Sequence, residues 1–173
     1  MSLAAKAQRI RAVVLDIDGV LTDGRIGYGP MPGEIKFFDV KDGHALVLLR
    51  RAGLKVGALS GRASEANRQR AAELGLDFLY QGEKDKGAAF ARLLEEQGLA
   101  AEECLYAGDD LVDLPVMRAA GVSVAVGDAV PEVRQAADWQ TTAPGGHGAV
   151  RELAVWLLKQ LGQWDRVVAK YYQ

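Results

Sequence analysis

The stretch from Val13 to Thr22, VVLDIDGVLT, constrains the fold of this chain more than any other segment. Its apolar, β-branched start is typical of a buried strand, and it ends in two carboxylates, Asp16 and Asp18, followed by a glycine. In parallel sheets, functional groups gather at the carboxyl ends of the strands. The segment therefore predicts a buried strand of a parallel sheet with a functional site at its end.

Asp16 and Asp18 indicate a cation site. Residues two apart in a strand share a face, and where the chain curls at the strand end both carboxylates can approach one small volume. Two such carboxylates repel each other unless a cation or a shared proton lies between them. Mg²⁺ suits them, because it takes one or two protein carboxylates, several waters and a substrate phosphate. For the motif alone, an ordinary solvated turn is the alternative interpretation.

The bulk composition limits the class of protein. The 173 residues are 49% hydrophobic and 25% charged with a net charge of −2, which predicts a single ordinary domain over residues 1–173. No run approaches the roughly 18 apolar residues of a membrane span, and residues 1–10 lack a signal-type apolar core, so we expect a cytoplasmic protein without a membrane partner. The charge balance offers no basic face for nucleic acid. The single cysteine, Cys104, is expected to be buried and without a chemical role.

Strands and helices alternate along the rest of the chain. Two extended pieces joined by a Gly-Pro-Met-Pro-Gly turn predict a β-hairpin within residues 24–39, and Asp42 is expected to cap the next helix. The helix that Asp42 caps is predicted at 44–51. Further strands are predicted at 55–59, 77–80, 104–107, 122–126 and near Trp139. Further helices are predicted at 64–74, at 84–97, up to 120, at 131–137 and at 148–161, before a C-terminal tail at 162–173. This alternation predicts a doubly wound, Rossmann-like α/β fold, in which a parallel sheet carries helices on both faces.

The predicted fold gathers five polar side chains at one edge of the sheet. In doubly wound sheets, ligands bind beyond the carboxyl ends of the strands, where the strand order reverses. Side chains at such strand ends, or at the start of a helix, are those of Asp16, Asp18, Ser60, Lys86 and Asp109. One pocket is therefore expected to hold all five. Taken singly, Ser60 also fits an ordinary turn, and Lys86 a solvated surface charge.

The ordered set Asp-x-Asp-Gly-x-x-Thr, Ser-Gly-Arg, Asp-Lys and Gly-Asp-x-x-x-Asp resembles the haloacid dehalogenase superfamily of phosphotransferases. Further motifs, DVKDG at 39–43, YQG at 80–82 and GGHGAVRE at 145–152, extend the resemblance to its capless phosphatases of phosphorylated sugar acids. The resemblance implies a Mg²⁺-dependent phosphomonoesterase. In it, Asp16 is the nucleophile that forms an aspartyl-phosphate, and Asp18 is the acid to the leaving alcohol and then the base to water.

The resemblance also assigns roles around these two residues. It implies a metal site formed by Asp16, Asp109 and the carbonyl group of Asp18. Phosphate binding is assigned to Ser60, Gly61 and Lys86, with Asp110 and Asp113 behind them and Asp113 orienting Lys86. Without the resemblance, Asp110 and Asp113 also fit carboxylates stabilised by the start of a helix.

A third group of positions matches those that surround the sugar acid in the family. These are Lys41, Asp42, Gly43, Arg62 and Arg70. Arginine suits a carboxylate because its planar fork binds both oxygens. Two departures leave the sugar open: Val47 stands where the family usually has Lys or Arg, and residues 168–173 lack the family's small, glycine-containing tail. A nine-carbon sugar acid phosphate or another small phosphomonoester is the alternative substrate.

Two functions of other classes compete with an enzyme. A receiver domain of a two-component system also groups carboxylates, a hydroxyl and a lysine around Mg²⁺. It would carry its phosphoacceptor where this chain has Ser60, and its lysine would come last, whereas Lys86 precedes Asp109. A non-catalytic binding relative is disfavoured by the intact pair Asp16 and Asp18. Both rivals predict no sustained turnover.

The lack of room for a cap domain predicts an oligomer. The superfamily inserts its caps at two places, which correspond here to segments 23–59 and 63–84. The hairpin and one helix fill the first segment, and a helix and a short strand fill the second. A lone hairpin is marginal in water, and its apolar side chains need a cover. These side chains are Ile26, Tyr28, Ile35, Phe37 and Phe38. We expect a cyclic or dihedral homo-oligomer, and the resemblance favours a homotetramer. A hairpin folded back on its own domain is the alternative.

Overall fold

The computed structural model describes residues 1–30 and 33–173. In chain order, the strands of the described residues are β1 (Ala12–Leu15), β2 (Gly27–Tyr28), β3 (Glu34–Ile35), β4 (Lys55–Ser60), β5 (Phe78–Gln81), β6 (Cys104–Gly108), β7 (Val122–Ala125) and β8 (Trp139–Gln140). The helices are α1 (Leu3–Ala7), α2 (Val40–Arg51), α3 (Glu65–Leu74), α4 (Lys86–Gln97), α5 (Leu114–Ala119), α6 (Pro131–Ala136), α7 (Ala149–Gln160) and α8 (Trp164–Val168). None of these helices combines the length and hydrophobicity that a membrane crossing requires.

Six of the strands form one parallel sheet in the order β5-β4-β1-β6-β7-β8. The central strand β1 is buried along its whole length, because it pairs with β4 on one side and with β6 on the other. The chain runs outward from β1 through β4 to β5, returns to β6, and runs outward again to β8. The strand order therefore reverses beside β1, and the predicted doubly wound α/β fold is confirmed.

The ends of the helices follow local capping rules at most of the predicted positions. Ser64 caps α3 by accepting a hydrogen bond from the N–H of Asn67, and Gly75, with φ +63°, ends that helix. A side chain would be strained at this angle, which favours glycine. Asp85 caps α4 in the same way as Ser64 caps α3. Single residues of the sequence therefore fix where these helices begin and end.

The predicted cap of α2 is wrong. Asp39 caps this helix, because its carboxylate accepts hydrogen bonds from the N–H groups of Lys41 and Asp42. Asp42 lies buried within the first turn, and its carboxylate accepts from Gly148 N (3.1 Å) and Arg151 N (2.7 Å) at the start of α7. Since Gly148 has no side chain to cap α7, Asp42 supplies the missing acceptor from a different helix.

The predicted hairpin forms within residues 24–39, and each of its strands has only two residues. β2 and β3 pair antiparallel, with Gly27 opposite Ile35 and Tyr28 opposite Glu34. Met31 and Pro32 of the predicted turn lie outside the described residues. Between β1 and β4 the structure places this hairpin and α2, and between β4 and α4 it places α3 and β5.

Residues 162–173, expected as a tail, contain the helix α8 and a 3₁₀ turn at Ala169–Tyr171. The hydroxyl of Tyr171 lies 2.7 Å from Nε2 of His44 and accepts a hydrogen bond from Arg51 Nη1 at 2.6 Å. Val167 and Val168 are buried. The end of the chain therefore packs on α2 through both apolar and polar contacts.

Candidate active site

The carboxyl ends of β1, β4 and β6 meet at one edge of the sheet, and each brings one predicted side chain there. Asp16 follows β1, Ser60 ends β4 and Asp109 follows β6. A cavity of about 440 Å³ opens at this edge. Its walls include seven of the predicted site residues, namely Asp16, Asp18, Gly61, Arg62, Lys86, Asp109 and Asp110. The topology thus brings together residues that lie up to 94 positions apart in the chain (16 to 110).

A buried network of charges fixes Lys86 beside Asp16. Lys86 Nζ lies 2.9 Å from Asp16 Oδ2 and 2.7 Å from Asp113 Oδ1. Burial opposes the charge of Lys86, but the carboxylates of Asp16 and Asp113 outweigh burial and raise its pKa. Lys86 is therefore a charged group whose two carboxylate partners hold it at the floor of the cavity.

Asp113 is fully buried, and both of its oxygens accept hydrogen bonds. Oδ1 accepts from Lys86 and, at 2.6 Å, from the hydroxyl of Tyr106, whose pKa is raised by burial and by this carboxylate. Oδ2 accepts from the backbone N–H groups of Asp109 (2.9 Å) and Asp110 (3.2 Å). Asp113 thus connects Lys86 to the loop that carries Asp109.

The carboxylates at this edge fit a divalent cation. Asp16, Asp109 and Asp113 each offer one oxygen, and these oxygens lie within 4.8 Å of one another. Burial, reinforced by Asp113, raises the pKa of Asp16 to about 7, and burial, reinforced by Asp16, raises the pKa of Asp109 to about 8. Asp109 Oδ1 is buried and has no hydrogen-bond partner among the described residues. A cation that relieves this repulsion is best held by Asp16 and Asp109, since Asp113 is already engaged, and all-oxygen ligands favour Mg²⁺.

Glycine residues let three loops approach each other at this site. Gly19 has φ +91°, and a Cβ atom there would overlap the carboxylate of Asp109. A Cβ atom at Gly145 or Gly146 would overlap the backbone of Gly19 or Thr22. The Thr22 hydroxyl accepts hydrogen bonds from the N–H groups of Gly19 and Gly24. The loop after β1 thus lies so close to its two neighbours that Gly19, Gly145 and Gly146 leave no space for a side chain.

The sequence analysis missed Lys36 and Glu34. Lys36 Nζ lies 2.6 Å from Asp18 Oδ1 and 3.5 Å from Glu34 Oε2, and Glu34 Oε1 lies 2.6 Å from Arg62 Nη2. The signal is the alternation of charged and apolar residues after the turn, which in extended chain places Glu34 and Lys36 on one face. Only the fold shows that this face meets Asp18.

Ser60 and Arg62 lie at the predicted edge, but other groups of the same chain engage them. The buried Ser60 hydroxyl donates to the carbonyl oxygen of Arg62 (3.0 Å) and accepts from its N–H (3.2 Å). The guanidinium of Arg62 donates to Glu34, which raises the pKa of Arg62. Of the five residues predicted around the sugar acid, Arg62 lines the cavity.

The other four residues of that group lie on α2 and α3. Lys41 is exposed in the first turn of α2, and Asp42 binds the start of α7. Arg70 donates to the carbonyl oxygen of Asp39 and lies over the ring of Phe38 at 5.5 Å. The absence of a side chain at Gly43 makes room for this Arg70 guanidinium. The substrate roles of all five remain predictions.

The raised pKa of Asp109 has a measurable consequence in the metal-free protein. A carboxyl group whose pKa rises on folding, here from 3.8 to about 8, destabilises the fold as the pH rises through that window. At pH 8 in EDTA we therefore expect Asp109→Asn to raise the melting temperature by at least about 2–4 °C, the equivalent of roughly 1 kcal/mol. The gain should shrink towards pH 4. Calorimetry checks this, with the exposed Asp165→Asn as the matched control, and a lower melting temperature of Asp109→Asn at pH 8 would contradict it.

Comparisons with known proteins show to which family this chain is related. A family model of haloacid dehalogenase-like hydrolases matches residues 76–153. The chain is 44% identical to the 3-deoxy-D-manno-octulosonate 8-phosphate phosphatase of Escherichia coli strain K12 over 161 residues, covering 93% of this chain and 86% of that protein. It is 40% identical to the phosphatase of the same name from Haemophilus influenzae over 158 residues, covering 91% of this chain and 88% of that protein.

One solved structure shares nearly the whole fold. It is the 3-deoxy-D-manno-octulosonate 8-phosphate phosphatase of Moraxella catarrhalis, in complex with a magnesium ion, a phosphate ion and a KDO molecule. The two chains are 37% identical and superpose with a TM-score of 0.94, covering 97% of each chain. The similarity thus extends over nearly the full length of both chains.

Proposed function

This chain belongs to the haloacid dehalogenase-like hydrolases, and from that premise we propose that it is a Mg²⁺-dependent phosphatase of 3-deoxy-D-manno-octulosonate 8-phosphate. The products are the sugar acid and inorganic phosphate. The observation that carries the proposal is the group of Asp16, Lys86 and Asp109 at the wall of one cavity, in a chain similar over nearly its full length to phosphatases of that substrate.

In the proposed reaction, Asp16 is the nucleophile. One carboxylate oxygen attacks phosphorus in line, while the bond between phosphorus and the sugar oxygen breaks. Asp16 Oδ1 accepts a hydrogen bond from the N–H of Ile17 (2.7 Å) and Oδ2 faces Lys86, so both oxygens are oriented before substrate binds. Water then attacks phosphorus in the aspartyl-phosphate, which releases phosphate and restores Asp16.

Charge on the phosphoryl group is met by groups around Asp16. A Mg²⁺ ion held by Asp16 and Asp109 supplies positive charge beside the phosphoryl oxygens when it is bound. Lys86 would donate to a phosphoryl oxygen beside Asp16, and Asp113 keeps its ammonium group in place. Gly61 offers a backbone N–H at the wall of the cavity. Catalysis of phosphoryl transfer depends mainly on such positioning and charge stabilisation.

Asp18 is proposed to move the proton. It lines the cavity two residues after the nucleophile, where it can protonate the leaving sugar oxygen and later take a proton from the attacking water. We expect Asp18→Asn to lower kcat by about 10²-fold or more, the usual contribution of acid–base catalysis. Release of phosphate from a sugar phosphate measures this. Asp165→Asn is the control, and an Asp18→Asn variant with wild-type kcat would remove Asp18 from the mechanism.

A panel of substrates tests the proposed function as a whole. Purified protein is assayed with 3-deoxy-D-manno-octulosonate 8-phosphate, a nine-carbon sugar acid phosphate and a neutral sugar phosphate, each with Mg²⁺ and with EDTA. We expect the highest kcat/KM for the first substrate and no turnover in EDTA. Preference for the nine-carbon substrate would reassign the sugar, and a single turnover without repeated release would favour the receiver-type alternative.

We also propose that the chain assembles as a homotetramer, and that it works in the cytoplasm. The hairpin supports the assembly, because Ile35 is 48% and Phe37 76% exposed on its outer face, and Tyr28, opposite Glu34, is 75% exposed. Exposed apolar side chains that lie together are typical of protein interfaces. Phe38 instead packs against the core, so the predicted apolar surface is smaller than the sequence indicated.

Replacing one outward-facing ring tests the assembly. We expect Phe37→Ser to lower the mass measured by light scattering, because the substitution removes apolar area from the proposed interface without changing the core. Tyr172→Ser is the matched control, since Tyr172 is an exposed aromatic residue on the opposite end of the chain. A wild-type mass of 18.6 kDa at micromolar concentration would overturn the proposal.

A further inference from the structure

The ammonium group of Lys36 lies directly behind Asp18. Lys36 Nζ is 2.6 Å from Asp18 Oδ1, and the Lys36 side chain is 0% exposed, whereas the Asp18 side chain is 18% exposed. Asp18 forms part of the cavity wall and Lys36 does not. Asp18 therefore separates Lys36 from the place where a substrate would bind, and Lys36 cannot itself contact the reacting atoms.

Charge alone holds this contact. Lys36 Nζ and both Asp18 oxygens are buried without a hydrogen bond from any described residue, so the 2.6 Å approach is an ion pair that lacks hydrogen-bond geometry. A buried ammonium group without an ionised partner costs several kcal/mol. Lys36 therefore needs Asp18 or Glu34 as a carboxylate, and of these two Asp18 is the nearer.

Glu34 and Arg62 fix Lys36 from its other side. Glu34 Oε2 lies 3.5 Å from Lys36 Nζ, and Glu34 Oε1 accepts from Arg62 Nε (3.2 Å) and Nη2 (2.6 Å). Burial opposes the charge of Glu34, but Arg62 and Lys36 hold its pKa below the usual value. Four alternating charges thus run from Asp18 through the hairpin to the loop after β4, and the hairpin supplies the middle two.

We propose that Lys36 is a positioning residue for the phosphatase reaction and acts through Asp18. It holds the Asp18 carboxylate in place at the wall of the cavity, where the proton passes to the leaving oxygen and later returns from water. The inference rests on the proposed function, because it assigns a task to Lys36 only if Asp18 moves a proton. It makes the hairpin part of the catalytic apparatus of its own chain.

Two substrates with different leaving groups separate positioning from general damage. The alkoxide of an alkyl phosphate is a poor leaving group and needs the proton from Asp18. The nitrophenolate of a nitrophenyl phosphate leaves without a proton. The ratio kcat/KM covers the steps up to phosphoryl transfer to Asp16. We expect Lys36→Met to lower kcat/KM for the alkyl phosphate by about 10- to 100-fold, because the catalytic group Asp18 is then misplaced. For the aryl phosphate, we expect kcat/KM to fall by less than about threefold.

A double-mutant cycle supplies the second readout. In the Asp18→Asn background, Lys36→Met should change kcat/KM for the alkyl phosphate by less than about twofold, because the group that Lys36 positions is then absent. Lys36→Gln is assayed in parallel, so that a folded variant is available if Lys36→Met does not fold. The exposed Lys159→Met is the matched control and should behave as the wild type.

Each other outcome overturns the inference. Equal losses on both substrates, or additive losses with Asp18→Asn, would assign Lys36 to the fold, and unchanged kcat/KM would deny it any task. If the wild type itself turned over neither phosphate, the proposed function would fail instead, and the two failures are therefore distinguishable.

Discussion

Asp16→Asn is expected to abolish phosphate release, with kcat at least about 10⁴-fold below the wild type, the scale seen when a catalytic nucleophile is removed. The amide cannot form the acyl-phosphate bond, and it removes one of the two carboxylates best placed to hold Mg²⁺. Lys86 also loses its 2.9 Å partner, although Asp113 remains beside it at 2.7 Å. No other carboxylate in the described cavity occupies the end of β1.

Mg²⁺-dependent hydrolysis of an aryl phosphate measures this effect, because that substrate needs no proton from Asp18. The folded state is checked by circular dichroism, and Asp165→Asn controls for the loss of one negative charge. Because the pKa of Asp16 is raised by burial to about 7, the variant should be at least as stable as the wild type in EDTA near pH 8. Full activity of a folded Asp16→Asn variant would disprove the aspartyl-phosphate mechanism.

Asp113→Ala should cause the largest loss of stability at the site. The substitution removes the Asp113 acceptor from four donors: Lys86 Nζ and the Tyr106 hydroxyl, which are buried, and the N–H groups of Asp109 and Asp110, which are partly buried. Removal of one partner of a buried, hydrogen-bonded charge pair typically costs about 3–5 kcal/mol. Because Lys86 retains Asp16, we expect a loss of at least about 3 kcal/mol in the free energy of unfolding.

Urea denaturation measures the change, and Asp110→Ala is the matched control. Asp110 is exposed, and its side chain caps the following 3₁₀ turn by accepting a hydrogen bond from Leu111 N at 2.7 Å. Its loss should cost about 1 kcal/mol or less. Equal losses for both variants would show that the buried network around Asp113 contributes no more than an ordinary helix cap.

The sequence predicted the parts of the site that depend on topology. One buried strand leads into Asp16, and a later strand leads into Asp109. The carboxyl ends of these two strands must meet when the sheet is parallel and its order reverses between them. Lys86 follows a capping aspartate, Asp85, which fixes the start of α4 and so points the lysine at the same edge. Local patterns and one rule of connection were sufficient for these residues.

Contacts between distant segments were beyond the sequence. From the sequence, either Asp39 or Asp42 could cap α2, because both stand at the start of the same helical pattern. Only the position of α7 shows that Asp42 binds the start of another helix. The sequence alone does not predict the burial of Lys36, because that burial depends on how the hairpin folds back over the loop after β1. The helix α8 has five residues, too few for a clear pattern of helical periodicity.

In the proposed oligomer, the alternation of faces in the hairpin links the rate of the proposed reaction to the amount of protein present. Ile35 and Phe37 point outward from a short segment whose inward side chains, Glu34 and Lys36, pair with Arg62 and Asp18. The segment cannot turn to bury its apolar side chains without withdrawing its charges from the site. If copies of the chain cover that outer face, dilution uncovers it by mass action and loosens the ion pairs behind it. Specific activity then becomes a function of enzyme concentration, and a rate measured in a dilute assay describes a different species from the one at cellular concentration.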